Sequence, residues 1–352
     1  MGIRVVVEVT EYRVRIFRNS KTGERTHAAF PAGVVDDVNY DGSIKAFLFL
    51  LNSDCHVSID KSRKLLSDLT GGKLVLSKGM VSRLNQEFAE QSDAIRREIA
   101  RKLLQAPVMH TDCTNAKVNG NSAYVFICAS PDGPALYSAR EKKDHEGVKG
   151  TVTQKYQGIL VHDHEKTFYQ YGWKHQECLA HVKRYLKSSM ENEPGRTWNS
   201  QMYELLREMI HYRNEHEKEE VLDPEAVRDF ERRYQEILKK AEEEYAYELP
   251  SDYYRDGYNL YRRMKENAEK HLLFLHDLRV PPTNNAAERY LRDFKRKQTQ
   301  VMTFRSFESM EAVYQSKSVL YFVYQKVTNV YEAVTAIFNG IKEPDALLAP
   351  SV

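Results

Sequence analysis

The chain has 352 residues, 41% of them hydrophobic, with 52 Lys and Arg against 50 Asp and Glu. That length and apolar content bury a real core in two or three domains and exclude a largely disordered protein. The near-neutral balance excludes a partner chosen by total charge alone, so any polyanion-binding role must rest on local basic clusters. Four cysteines, Cys55, Cys113, Cys128 and Cys178, lie far apart without a CxxC pair, which argues against a disulfide framework or an all-cysteine zinc site. The longest apolar run, around Phe47 to Leu51, is too short to span a bilayer, and no apolar signal core follows the N-terminus. The expectation is a soluble cytoplasmic protein.

In chain order, Val5 to Ile16 alternates apolar and charged residues and reads as a half-exposed strand before a turn at Lys21-Thr22-Gly23. From Ser43 to about Ala100 the spacing is helical: Ile44, Phe47, Leu48 and Leu51, then Leu65, Leu66 and Leu69, then Val81, Leu84 and Phe88. Thr70-Gly71-Gly72 breaks the second helix, and Ser77 is placed to cap the third. Three short helices with a glycine turn before the last allow a helix-turn-helix. Its final helix would present Lys78, Ser82, Arg83, Asn85 and Gln86 to a major groove, with plain helix packing as the alternative.

Strand signals follow at Pro107 to Asp112, Ser122 to Ala129, Ala135 to Ala139, Gly158 to Asp163 and Trp173 to Cys178. Turns at Asn119-Gly120 and Pro131-Asp132-Gly133 make the first three an antiparallel meander. A helix from His145 to Tyr156 then crosses to the buried strand Gly158-Ile159-Leu160-Val161. Three hairpinned strands, a helix and a further strand is the order of the ribonuclease-H-like fold. From His181 to about Leu275 the chain is helical and charge-dense, with Val227, Phe230, Tyr234, Leu238, Ala241 and Tyr245 stepping by three and four. This reads as a helical insertion packed on the core or on a second subunit. Pro281-Pro282-Thr283 ends it, Asn284 is placed to cap a helix from Asn285 to about Gln298, and apolar helical segments cover Phe307 to Phe338. The expected fold class is α/β, a ribonuclease-H-like mixed sheet flanked by helices and interrupted by an α-helical insertion, with an N-terminal helical region. The expected divisions are a strand and linker at 1–42, helices at 43–104, the first part of the core at 105–182, the insertion at 183–280 and the core completion at 281–345.

Asp112 and Asp163 each end a predicted strand, so neighbouring strand ends would set two carboxylates side by side, although either alone is commonly just a turn or cap residue. Glu288 stands in Asn284-Asn285-Ala286-Ala287-Glu288-Arg289, where small residues permit close approach to a sheet; by default it is a first-turn acid favoured by the helix dipole. Arg289, Arg292, Lys295, Arg296 and Lys297 follow it, a setting suited to a carboxylate that holds a cation while its neighbours hold phosphates. Phosphodiester hydrolysis or transfer by two divalent ions needs hard oxygen ligands from several segments, and three carboxylates meet that need. Magnesium suits them best, two ions per site, with manganese as a substitute.

With these residues the chain resembles transposases of the insertion-sequence sixty-six type, members of the DDE superfamily. The likeness runs through Phe30-Pro31, Val38-Asn39-Tyr40-Asp41-Gly42, His110-Thr111-Asp112, Lys117-Val118-Asn119-Gly120, Gly158 to Asp163, Cys178-Leu179-Ala180-His181-Val182-Lys183-Arg184 and Asn284 to Arg289. The resemblance implies that Asp112, Asp163 and Glu288 are the three acids, catalytic and metal-holding. It also implies DNA partners (element ends and target), accessory proteins of the element and a nucleoid location; bringing two ends together calls for a homodimer. Family members commonly carry Asp-Glu-Thr where this chain has Asp112-Cys113-Thr114. They also carry an N-terminal zinc module inside or just after which this chain begins, so reduced reading of terminal repeats is expected. The alternative is an inactive or domesticated DNA-binding protein.

Weaker signals remain. Cys178 and His181 can ligate zinc, with His162, His164 or His175 as guessed partners, or can serve, with Asn284 and Asn285, as supports beside Asp163. His162-Asp163-His164 alternatively marks a dinuclear metallohydrolase acting on small phosphoesters. Trp173 and Tyr171 can stack on a base near the cut or belong to the core.

Overall fold

The computed structural model describes residues 5–31, 34, 38–131, 133–246 and 252–341. Asp132 of the predicted turn and the stretch 342–345 of the predicted core completion lie outside them. In chain order come β1 (Ile16–Arg18), β2 (Arg25–His27), α1 (Gly42–Ser53), α2 (Ile59–Leu69), α3 (Lys78–Gln91), α4 (Asp93–Gln105), β3 (Val108–Val118), β4 (Asn121–Ala129) and β5 (Ala135–Arg140). Then follow α5 (His145–Val148), α6 (Val152–Lys155), β6 (Ile159–His162), β7 (Lys174–Glu177), α7 (Leu179–Asn192), α8 (Trp198–Glu215), α9 (Pro224–Tyr245), α10 (Asp252–Glu266), α11 (Ala268–His276), α12 (Asn285–Val301), α13 (Phe307–Lys326) and α14 (Val330–Phe338). The chain divides into two compact units, 1–95 with 323–352, and 96–322.

The first unit is helical. Side chains of Asp41, Ser58 and Ser77 accept backbone N–H groups at the starts of α1, α2 and α3, so Ser77 caps as its position predicted. Phe49 of α1 stacks on Phe88 of α3 with ring centroids 4.3 Å apart, and Phe338 of α14 closes on both. Gly42 permits this approach: a Cβ there would lie 2.4 Å from the Thr335 carbonyl oxygen. The sequence grouped α14 with the core completion, whereas it packs here. The strand expected from Val5 shrinks to a hairpin, β1 against β2, which is exposed throughout. Its ladder begins only where the turn brings a partner strand into reach.

The second unit is built on a five-stranded sheet in the order β5-β4-β3-β6-β7, with β3, β4 and β5 antiparallel and β6 and β7 parallel to β3. This is the mixed sheet expected of a ribonuclease-H-like core. Asn119 and Gly120, both at positive φ, form the two-residue turn that pairs Val118 with Asn121. The predicted helix from His145 to Tyr156 is instead two single turns, broken at Gly150 with φ +75°.

Paired residues share a sheet face. Along one face, Val125, Ile127 and Tyr137 pack with Tyr290, Phe294 and Tyr314 of α12 and α13. Farther along it, Val108, Ile159 and Val161 join Leu179, Val182 and Leu186 of α7 and the insertion residues Trp198, Met202, Phe230 and Tyr234 in one core. The six apolar positions read in α9 are all buried. Phe126, Val148 and Phe168 cluster separately. No helix among the described residues is long and apolar enough to cross a membrane.

Candidate active site

The parallel register of β3 and β6 pairs Val108 with Ile159 and His110 with Val161. Two residues farther on, the same register sets Asp112 beside Asp163, just past the end of β6. The pairing of His162 with Glu177 likewise sets Cys178 level with Asp163, just past β7. Alternation gives the three side chains one sheet face. Asp112 is not at a strand end as expected: β4 holds β3 extended as far as Val118, so the carboxylate sits mid-strand where β6 has stopped. It is 9% exposed and accepts the Cys113 N–H at 2.7 Å. Burial pushes its pKa up to about 7, with further upward pressure from the charges of Asp163 and Glu288, against the Cys113 N–H and the Lys143 ammonium. Lys143 itself pairs with Glu165 at 2.7 Å. It lies in the run Glu141-Lys142-Lys143, where no spacing in the sequence singles it out.

Glu288 arrives from the first turn of α12. Asn284 places that turn, though not by capping it, since its side chain makes no cap bond. Instead its amide donates to the Thr111 carbonyl at 3.0 Å, its Oδ1 lies 2.9 Å from His110 Nδ1, and its backbone N–H meets Cys178 Sγ at 3.1 Å. One fully buried side chain thus ties β3, immediately before Asp112, to the helix that bears Glu288. Glu288 Oε1 lies 3.4 Å from His181 Nε2 and 3.9 Å from Cys178 Sγ, while Oε2 pairs with Arg292 at 3.1 Å. The three acids therefore share a neighbourhood, but among the described residues the tight ligand group is Cys178, His181 and Glu288, with one donor atom of each within 4.8 Å of the others. The all-carboxylate donors Asp112, Asp163 and Glu288 still fit hard divalent ions: burial, and after it the charges of Asp163 and Glu288, raise the Asp112 pKa, and a cation would offset both.

Residues 38–312 match the profile of the Transposase IS66 family. The chain belongs to that family. No curated protein matches it. Family membership makes this a transposase, with DNA as its partner, and DDE transposases generally use divalent metals.

Four basic residues of the transposase's α12, Arg289, Arg292, Lys295 and Arg296, are exposed. Lys295 Nζ also reaches the Asn115 carbonyl at 2.6 Å. Lys297 is a correction: it is 2% exposed, and burial, with Lys317 nearby, lowers its pKa to about 7. The buried stripe of Ala287, Tyr290, Leu291 and Phe294 steps onto position 297, so helical phase turns this lysine inward. In α3, Lys78 and Arg83 are exposed, and Lys78 pairs with Asp60 at 2.8 Å. Asn85, expected at a groove, is buried and accepts the Ser53 hydroxyl at 2.8 Å. Residues 70–77 connect α2 to α3, a longer link than the three or four residues of a helix-turn-helix.

The histidines flanking Asp163 lie on the opposite sheet face. His162 is fully buried, 3.1 Å from His175, and burial with the neighbouring His175 lowers its pKa to about 3. His164 meets the Tyr169 hydroxyl at 3.0 Å and Glu177 at 3.2 Å. His162 Nδ1 meets the Asp163 backbone carbonyl, so neither ring joins the Asp163 carboxylate, and the third residue beside Cys178 and His181 is Glu288 rather than a histidine. Cys113 also faces away from Asp112, against the cluster of Phe126, Val148 and Phe168, and burial pushes its thiol up to about 12. Trp173 is 72% exposed and bonds Gly158, at the end of β6 remote from Asp163, so it is placed away from the carboxylates. Tyr171 pairs with His145 at 3.2 Å. Asn285, the first residue of α12, is exposed.

Proposed function

We propose that the transposase cuts phosphodiesters at the ends of its element and joins the freed 3′-hydroxyl to target DNA, with Asp112, Asp163 and Glu288 as its catalytic carboxylates. The observation that carries this reading is the β3–β6 register that sets Asp112 beside Asp163 on one sheet face, close enough that the charges of Asp163 and Glu288 add to burial in raising the Asp112 pKa. Two magnesium ions, replaceable by manganese, would supply activation of the attacking hydroxyl and stabilisation of the leaving oxygen. The chain's own residues do the rest. Asp112 is fixed by the β3–β4 ladder, Asp163 by its bond to the Glu165 N–H at 3.1 Å, and Glu288 by the Asn284 clamp. Lys143 and Arg292 stand beside these acids, where a phosphate would bind, and Arg289, Lys295 and Arg296 extend the positive surface along α12.

The remaining assignments belong to the same reading. Lys78 and Arg83 of the helical region contact DNA outside the cut, two copies act together on two element ends, and accessory proteins of the element assist. The test is cleavage of a matching element end by the purified protein with magnesium. Asp112→Asn, Asp163→Asn and Glu288→Gln should each fall below about one hundredth of the wild-type rate while still binding DNA. Cleavage that survives all three substitutions would sink the assignment.

A further inference from the structure

The donors gathered around Glu288 are of mixed kind. Cys178 Sγ and His181 Nε2 are soft or borderline ligands, and they converge on the same carboxylate oxygen, Oε1, at 3.9 and 3.4 Å. Around a tetrahedral zinc ion, bond lengths near 2.3 Å to sulfur and about 2.0–2.2 Å to nitrogen and oxygen imply donor-to-donor separations of roughly 3.3–3.6 Å. The His181 separation falls in that range, the Cys178 separation exceeds it by a few tenths of an ångström, and the cysteine and histidine donors lie within 4.8 Å of each other. An ion seated among the three would draw them closer.

Burial raises the Cys178 thiol pKa, so in the metal-free protein the sulfur keeps its proton, and backbone donors act against that rise. Cys178 is the residue before the first turn of α7, where backbone N–H groups point outward, and its sulfur already receives the Asn284 N–H at 3.1 Å. A backbone donor to a ligating sulfur orients the ligand and moderates its charge. Cys178 and His181 come from the start of α7 and Glu288 from α12, each helix fixed by its own core packing, so the cluster is preorganised.

We propose that Cys178, His181 and Glu288 form a binding site for one thiophilic divalent ion of the zinc class, leaving its fourth position to solvent or a DNA phosphate. On binding, the ion replaces the Cys178 thiol proton, which passes to the buffer, and the imidazole coordinates in its neutral form. Binding itself does not depend on the catalytic reading. One consequence does: an ion held through Oε1 withdraws that oxygen from the magnesium ligands, so zinc antagonises magnesium-supported cleavage.

The experiment uses the full chain, stripped of metal and titrated with cobalt(II). One equivalent should produce a thiolate-to-cobalt charge-transfer band, displaced by one equivalent of zinc but not by a thousand-fold excess of magnesium. Cys178→Ser should abolish the band, and His181→Ala should weaken cobalt binding at least ten-fold. In the unmutated protein, one equivalent of zinc should release about one proton to the buffer, followed with a pH indicator; this arm stands even if a variant fails to fold. No charge-transfer band, displacement by magnesium, or zinc addition without proton release overturns the site. Zinc binding without loss of magnesium-supported cleavage overturns only the antagonism. A chain that binds zinc and never cleaves leaves the site standing and overturns the catalytic reading instead.

Discussion

Asp112 gives up most of its hydration beside two other acids, and its pKa near 7 records the cost. In the unfolded chain the same carboxyl ionises near 3.8. Below that pH it is neutral in both states; between the two values the unfolded state releases its proton first, so folding stability from this group is lost as pH rises through about 7. In metal-free buffer, Asp112→Asn should therefore raise stability by about 2–4 kcal/mol at pH 8 and change it little at pH 4, read from urea melts. A gain that is the same at both pH values would refute the assigned cause. The two aspartates were legible because strand alternation and buried apolar runs place them without knowledge of the rest of the molecule. Lys143 was not, because a lysine in a charged loop has no periodicity to set it apart. Lys297 misled for the opposite reason: counting charges along Arg289 to Lys297 ignores which of them the helix turns inward.

At the scale of the element, α12 works as a two-sided bar. One side seals the sheet through Tyr290, Leu291 and Phe294, and the other displays arginines. Its position depends on Asn284, whose bonds to Thr111 and His110 are wholly buried. Asn284→Ala leaves those partners unsatisfied and should cost roughly 2–4 kcal/mol in a denaturant melt. Cleavage should fall further than the lost stability explains at temperatures where the variant is fully folded, because Glu288 loses its register with Asp112. Full activity in folded Asn284→Ala protein would show that the clamp is structural only. The sequence marked Asn284 as a cap, the ordinary role of Asn before a helix, and could not reveal that its side chain crosses to a strand more than 170 residues earlier. The same limit explains the broken helix at Gly150: apolar spacing continues across it, and only the backbone shows the interruption.

For the whole molecule, 52 basic and 50 acidic residues leave almost no net field, so DNA affinity must come from surfaces such as the exposed face of α12. Arg289→Ala and Arg296→Ala should each weaken binding to any DNA sequence and lower the slope of log affinity against log salt by about one. Lys297→Met should leave that slope unchanged, since the side chain is buried away from the surface that meets phosphate. A reduced slope in Lys297→Met would mean that the residue reaches phosphate after all. The order of strands and the helical insertion were readable in the sequence, since each follows from local periodicity and turn chemistry. The placement of α14 was not, because periodicity says which face is apolar and nothing about what covers it. That placement bears on how the protein is made. Phe49 and Phe88 are synthesised about 250 residues or more ahead of Phe338, which completes their cluster. The cluster of α1 and α3 thus cannot close until α14 has been made, and a product cut short before Val330 would carry α1 to α3 intact in sequence but with an unsealed apolar groove, a substrate for proteases and chaperones.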